Sequence, residues 1–180
     1  MLALAQGARE VSEAVIDNSD YIQFTGSGVT GAKVMQRAAR RLTPVSLELG
    51  GKDPMIVLED ADIELAANAA IWGAMFNAGQ TCVSVERVYV LEPAYDEFVA
   101  AVVRNVEKLK IGAGEDYDFG AMIDDTQIAV TERHVRDALA AGAKALTGGE
   151  RLTGAGNFYP PTVLVDVDHS MVCMTDETFG

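Results

Sequence analysis

Two short runs of this chain hold residue types that can attack a carbonyl group. Cys82 closes the run Asn77-Ala78-Gly79-Gln80-Thr81-Cys82, and Glu48 opens Glu48-Leu49-Gly50-Gly51-Lys52. A thiolate is a strong nucleophile near neutral pH. A carboxylate can take a proton from water as a general base. Together they are the components of acyl chemistry, if the fold makes them work together. Each residue also has a plainer reading. Glu48 lies between Leu47 and Leu49 on an extended run, so alternation turns it to the face opposite its neighbours, where it could simply meet solvent. Cys82 follows a small, flexible stretch at an element junction, where a reactive group could stand exposed. It could equally be a buried, inert thiol. Cys173, within Met171-Val172-Cys173-Met174, reads as packing.

A third run bears on phosphate chemistry. Gly26-x-Gly28-x-x-Gly31 follows a predicted strand and opens a predicted helix, the context of a dinucleotide fingerprint. Glycines let backbone N–H groups approach a phosphate, and the helix N-terminus favours its charge. On that reading Glu48, on the next strand, would hold a ribose instead of serving as a base. The same run could be only a turn. A phosphate-binding P-loop fits worse, because Ala32 stands where lysine is needed and Lys33 comes one place late.

The elements that must position these residues alternate. Val11 to Ile16 reads as the end of a short amphipathic helix, and Tyr21 to Thr25 as a strand. A helix follows the glycine run through Arg41, with Val34, Ala38 and Leu42 on one stripe, and stops before Pro44. Val45–Leu49 and Met55–Leu58 read as strands, the latter fully apolar like a buried parallel strand. Asp60-Ala61-Asp62 caps a long helix to about Asn77, whose face carries Ile63, Ala67, Ala70, Ile71, Ala74 and Met75. Val85 to Leu91 is a strand, Pro93 to about Leu109 a helix with Phe98, Val102 and Val106 inward, and Thr126 to Ala141 a helix. Ala143 to Thr147 is a short strand, Gly148 to Gly156 a polar glycine-rich turn, and Phe158 to Val167 carries Pro160-Pro161 and then a strand. The alternation predicts an α/β fold with a mainly parallel sheet flanked by helices. The first strand lacks earlier units to pair with and the last run reads as the beginning of something, so a piece of a larger protein is expected.

Bulk properties narrow the partners. The chain has 180 residues, is 49% hydrophobic and carries a net charge of −13 at pH 7, with a mean hydropathy of +0.11. That acidity argues against nucleic acid and against an anionic membrane surface. No apolar run approaches a membrane span, and the apolar start Met1 to Gly7 is too short for a signal peptide. Two cysteines fit a reducing, cytoplasmic setting. His134 and His169 show no ligand spacing, so no metal site is expected.

Taken together and in order, these runs resemble the aldehyde dehydrogenase family. Phe24-Thr25-Gly26-Ser27 with Gly31, Glu48 to Lys52, Gly79-Gln80-Thr81-Cys82 and Glu177-Thr178-Phe179-Gly180 match its patterns across nearly the whole chain. The resemblance implies oxidation of a small-molecule aldehyde to a carboxylic acid with NAD or NADP. Cys82 would attack the carbonyl, giving a thiohemiacetal and then a thioester, and Glu48 would activate the hydrolytic water. The oxyanion would rest on the Cys82 backbone N–H and a second donor. Gly26, Ser27 and Gly31 would lie near the cofactor, with Glu48, Leu49 and Gly50 beside it. Glu177 would hold the nicotinamide ribose and Phe179 would flank the nicotinamide. Residues 1–49 would be the C-terminal part of an NAD(P)-binding Rossmann-like domain, and 50–180 a catalytic, thiol-bearing domain incomplete at its end. The parent would be a homo-oligomer. Departures are the extra Gly28, Asp176 where glutamate is common, and the family's oxyanion asparagine, which has no counterpart here; Asn18 lacks the surrounding motif. The chain alone is therefore expected to be poorly active. Two other readings remain: a dinucleotide-binding module without chemistry, and an inactive truncated fragment acting through subunit association.

Overall fold

A computed structural model describes residues 2–154 and 156–180. Met1, at the head of the apolar start, and Ala155, within the glycine-rich turn, lie outside the described residues. The chain forms two compact units, one ending at Gly50 and the other spanning Gly51–Gly180.

The first unit contains α1 (Arg9–Asp17), β1 (Ile22–Gly26), α2 (Gly28–Ala38) and β2 (Val45–Leu49). The two strands pair in parallel, Ile22 against Val45 through Gly26 against Leu49. A parallel pair needs a crossover connection, and α2 supplies it. Ser27 caps that helix by accepting the Thr30 N–H. The helix buries Gly31, Val34 and Ala38, so two members of the predicted stripe turn inward while the third, Leu42, is 89% exposed. It ends in a 3-10 turn over Ala39–Arg41, and Leu42 closes it at φ 57°. This is a left-handed stop of the kind that satisfies last-turn carbonyls, here with Thr43 N donating to Ala38 O at 3.2 Å. Helix α1 buries no residue completely. It is tied to α2 by Arg37, whose guanidinium reaches Asp17 (Nε to Oδ1, 2.8 Å) and also pairs with Glu13. That guanidinium holds the Asp17 carboxyl below its usual range. For Glu13 the larger cause of a lowered value is the hydrogen bond from Arg9.

The second unit begins β3 (Asp53–Val57), α3 (Ile63–Met75), β4 (Val85–Val90) and α4 (Glu92–Val106). Strands β3 and β4 pair in parallel, with a register shift at Asp53/Pro54, where proline has no N–H to give the ladder. Asp62 caps α3 through the Leu65 N–H at 3.0 Å. Ala67 and Ala70 are buried on α3, and Phe98, Ala101, Val102 and Val106 on α4; with Val57 and Ile71 they make one core cluster. Small alanine side chains let α4 approach α3 closely. Strand β3 departs from expectation. Ile56 is 68% exposed, so only one face of this apolar strand is covered within the described residues.

After a loop come α5 (Asp125–Ala140), β5 (Lys144–Thr147), β6 (Val163–Val165) and the four-residue α6 (Val172–Thr175). Asp124 caps α5 through the Gln127 N–H at 2.8 Å. Strands β5 and β6 are antiparallel. Two further clusters sit here, one around Met122, Ile128, Val135 and Tyr159, the other around Ala138, Ala143, Met171 and Met174. The sheets are thus three separate strand pairs, two of them parallel.

Candidate active site

Cys82 follows a turn of unusual backbone. Helix α3 ends at Met75, two residues before its predicted limit, and a 3-10 turn covers Phe76–Gly79. Within that turn Asn77 (φ 54°), Ala78 (φ 57°) and Gly79 (φ 75°) are all left-handed. Such a conformation costs a non-glycine L-residue roughly 1–2 kcal/mol, so something must hold it. Part of the hold is local: Asn77 Nδ2 donates to Gln80 O, and Gln80 Nε2 donates to Asn77 O, each at 3.0 Å. Part is distant, since the Ile123 N–H donates to Gln80 Oε1 at 2.8 Å, and Ala78 packs on the Met122 cluster. Gly79 is buried. A Cβ there would come within 2.7 Å of the Gly180 carbonyl carbon.

The outcome is an exposed Cys82. Its backbone N–H has no partner among the described residues and is free to receive an oxyanion. Cys173 is half-buried, and burial pushes its thiol up. The plainer reading of a buried Cys82 does not hold; the packing reading of Cys173 does.

Residues drawn from three of the four sequence runs meet within the second unit: Lys52, Gly79 and the Thr178–Gly180 end of the chain. Lys52, from the Glu48–Lys52 run, donates from Nζ to Thr178 Oγ1 at 2.8 Å. Gly79, from the thiol run, abuts Gly180. Thr178 and Gly180 both belong to the Glu177–Gly180 run. Glu177 is half-buried; burial first, and the nearby Glu86 charge second, push its carboxyl above the ordinary range. Phe179 takes φ 55°. The Lys52–Glu86 ion pair beneath this run was not foreseen. Both side chains are nearly buried, at 7% and 9% exposure. Glu86, four places beyond Cys82, gives no local sign of its partner. Lys52 and Glu86 also line a cavity of about 560 Å³, which does not include Cys82.

In the first unit, Glu48 stands on β2 opposite Thr25 in the parallel register and is exposed, as is Leu49; Gly50 is half-buried. Gly26 and Ser27 lie at the β1–α2 turn and are exposed. Gly31 is buried on α2, and a Cβ there would lie 2.8 Å from the Leu49 side chain. It is therefore required for close packing of helix on strand, the role of the last glycine in a dinucleotide turn. Gly28 has open space around its Cβ direction, so packing does not require it. The N–H groups of Gly28 and Val29, at the head of α2, have no partner among the described residues.

With this geometry in view, the chain belongs to the aldehyde dehydrogenase family, whose model matches residues 1–180. It is 47% identical over 169 residues to 4,4'-diapolycopene aldehyde oxidase of Methylomonas sp, covering 94% of this chain and 31% of that protein. It is 44% identical over 173 residues to the protein named "Putative succinate-semialdehyde dehydrogenase [NADP(+)] 2" of Mycobacterium ulcerans, covering 94% of this chain and 33% of the relative. Among solved structures it is similar to betaine aldehyde dehydrogenase from Staphylococcus aureus in complex with NAD+, with a TM-score of 0.89 and 35% identity over 94% of this chain and 35% of that one. The chain thus spans about a third of the length of the relatives it matches.

Proposed function

We propose that this chain carries the nucleophile and the base of an enzyme that oxidises an aldehyde to a carboxylic acid with NAD or NADP. The observation that carries the proposal is the exposed Cys82, presented by a left-handed turn whose Gly79 rests against Gly180. The family membership gives that thiol its context.

In this reading the Cys82 Sγ adds to the aldehyde carbon, and the carbonyl oxygen becomes an oxyanion. The free N–H of Cys82 donates to that oxygen, which stabilises the charge as it develops. A nicotinamide dinucleotide, when bound, would supply the oxidant as hydride acceptor, so that the thiohemiacetal on Cys82 would go over to a thioester. Glu48 then takes a proton from water, and the water oxygen adds to the thioester carbonyl. The C–S bond breaks, the acid is released, and Cys82 leaves as the thiolate it was.

The residues present fit a dinucleotide. The unpartnered N–H groups of Gly28 and Val29 at the head of α2 suit a phosphate, and the Gly31–Leu49 contact brings helix and strand close. Ser27 and Gly26 form the turn between them. Glu177 would hold the nicotinamide ribose, and Phe179 would flank the ring. On this assignment the unit ending at Gly50 is the C-terminal part of the cofactor-binding domain, with Leu49 and Gly50 beside the dinucleotide, and Gly51–Gly180 bears the thiol. The relative named for succinate semialdehyde supports a semialdehyde as substrate. The reading includes a cytoplasmic, homo-oligomeric protein. Two unpaired cysteines suit a reducing compartment. The stacked and exposed Trp72 and Phe76, at 71% and 56%, supply apolar surface for association. No helix among the described residues is long and apolar enough to cross a membrane.

The test is made in the protein that carries this chain. Cys82→Ala is expected to lower formation of reduced nicotinamide roughly 10³-fold or more. Glu48→Gln is expected to leave a first rapid burst followed by slow turnover, because the thioester forms and then waits. Wild-type turnover in Cys82→Ala refutes the assignment and leaves a dinucleotide-binding module.

A further inference from the structure

Glu86 has no part in the chemistry above, yet its charged side chain is nearly buried in the second unit. A carboxylate at 9% exposure needs charge compensation and hydrogen bonds to persist there. Lys52 gives the charge. The hydrogen bonds come from the Glu177–Gly180 run: the Thr178 N–H reaches Glu86 Oε1 at 3.2 Å, and the Phe179 N–H reaches the same oxygen at 3.1 Å. Lys52 closes the loop through Thr178 Oγ1.

The opposite edge of the same dipeptide is held from α5. Gln127 Nε2 donates to the carbonyls of Thr178, at 2.6 Å, and Phe179, at 3.0 Å. His134, 2% exposed, completes the hold. Arg133 Nη2 approaches His134 Nε2 at 3.2 Å. Arginine can only donate, which assigns the imidazole proton to Nδ1. Nδ1 then donates to Thr178 Oγ1 at 3.0 Å. Burial holds its pKa below the ordinary imidazole value. Both edges of Thr178–Phe179 are therefore fixed. This accounts for the persistence of φ 55° at Phe179, a conformation that survives only where its surroundings over-determine it. The next residue, Gly180, is the one against which Gly79 packs.

We propose that Glu86 is a positioning residue for the reaction: its buried carboxylate, with Lys52, fixes Thr178 and Phe179 so that Gly180 supports the turn that presents Cys82. The consequence for turnover rests on the dehydrogenase reading; the consequence for geometry does not.

Glu86→Gln, in the protein that carries this chain, keeps the side-chain shape and one acceptor oxygen and removes the charge that Lys52 faces. A misplacement of the reacting groups is expected to lower kcat about tenfold or more while KM for the aldehyde changes by less than about twofold. Amide hydrogen exchange at Thr178 and Phe179 is expected to quicken about tenfold, and the rate of Cys82 alkylation to change with it. Wild-type exchange and alkylation overturn the proposal, and so does fast exchange with wild-type kcat. Where Glu86→Gln fails to fold, Lys52→Met with Glu86→Gln replaces it, since that pair leaves no lone buried charge. A folded double variant with fast exchange and low kcat supports positioning, and one with wild-type kcat overturns it. Should the unaltered protein oxidise no aldehyde, the function above fails, while exchange at Thr178 and Phe179 and alkylation of Cys82 still decide the role of Glu86.

Discussion

At the scale of single residues, the two cysteines of this chain are separated by their surroundings. Cys82 is exposed, whereas Cys173 is half-buried and its thiol is pushed up by burial. Reactivity follows thiolate fraction and access. A small alkylating reagent near neutral pH is therefore expected to label Cys82 more than about tenfold faster than Cys173. Peptide mapping by mass spectrometry reads the ratio, and equal labelling would contradict the environments described. From its own stretch of glycine, glutamine and threonine Cys82 read as exposed or buried, and the family resemblance decided it; with that help both thiols were legible in the sequence. The Lys52–Glu86 pair and the His134 link to Thr178 were not. Lys52 meets a hydroxyl 126 positions away, and no local spacing records such a meeting. His134 offered no ligand spacing, and its actual role is that of a buried, hydrogen-bonded ring.

Secondary-structure elements were legible where the signal was local. Asp62 and the 67/70 alanine pair announced the start and the inward face of α3, and Val45–Leu49 was recovered to the residue. The end of α3 was not. The expected limit was about Asn77, yet Asn77 and Ala78 already turn left-handed, because distant contacts at Gln80 and Gly180 decide the path. Helix α6 was missed because four residues are too few to show a period. The α2–β2 contact supports a prediction at this scale. Gly31 sits so close to Leu49 that a Cβ would lie at 2.8 Å. Gly31→Val is expected to destabilise the protein by about 1–3 kcal/mol through overpacking, whereas Gly28→Ala, with open space at its Cβ, is expected to have little effect. Denaturant unfolding of the two variants checks the contrast.

For the molecule as a whole, the alternation of strand and helix was readable, but the grouping of strands was not, because pairing is decided by partners far apart in the chain. Parallel β3–β4 and antiparallel β5–β6 form separate pairs within the second unit. Two buried groups there set how stability follows pH. His134 is held below 6.5, first by burial and then by the charges of Arg133 and Lys52. Below that pH the unfolded chain binds more protons than the folded one, so stability is present above it and is lost as the pH falls toward the folded value. Glu177, raised from 4.5, acts in the opposite sense: its contribution is lost as the pH rises above 4.5. At the alkaline end, the Tyr159 hydroxyl is buried without a partner among the described residues. Burial, helped by Glu132 and Glu150, pushes it from 10.0 up to about 12. The unfolded phenol releases its proton first, so stability declines as the pH rises between those two values. Thermal melts across pH are expected to show both limbs. His134→Gln should flatten the acid one and Tyr159→Phe the alkaline one; unchanged limbs would mean that other groups set them. Nearer the front of the chain, α1 has no fully buried side chain, and its strongest tie is the guanidinium of Arg37. A helix moored by charge as well as by oil answers to ionic strength: concentrated salt screens the tether, and α1 opens to proteases sooner than the strands it adjoins.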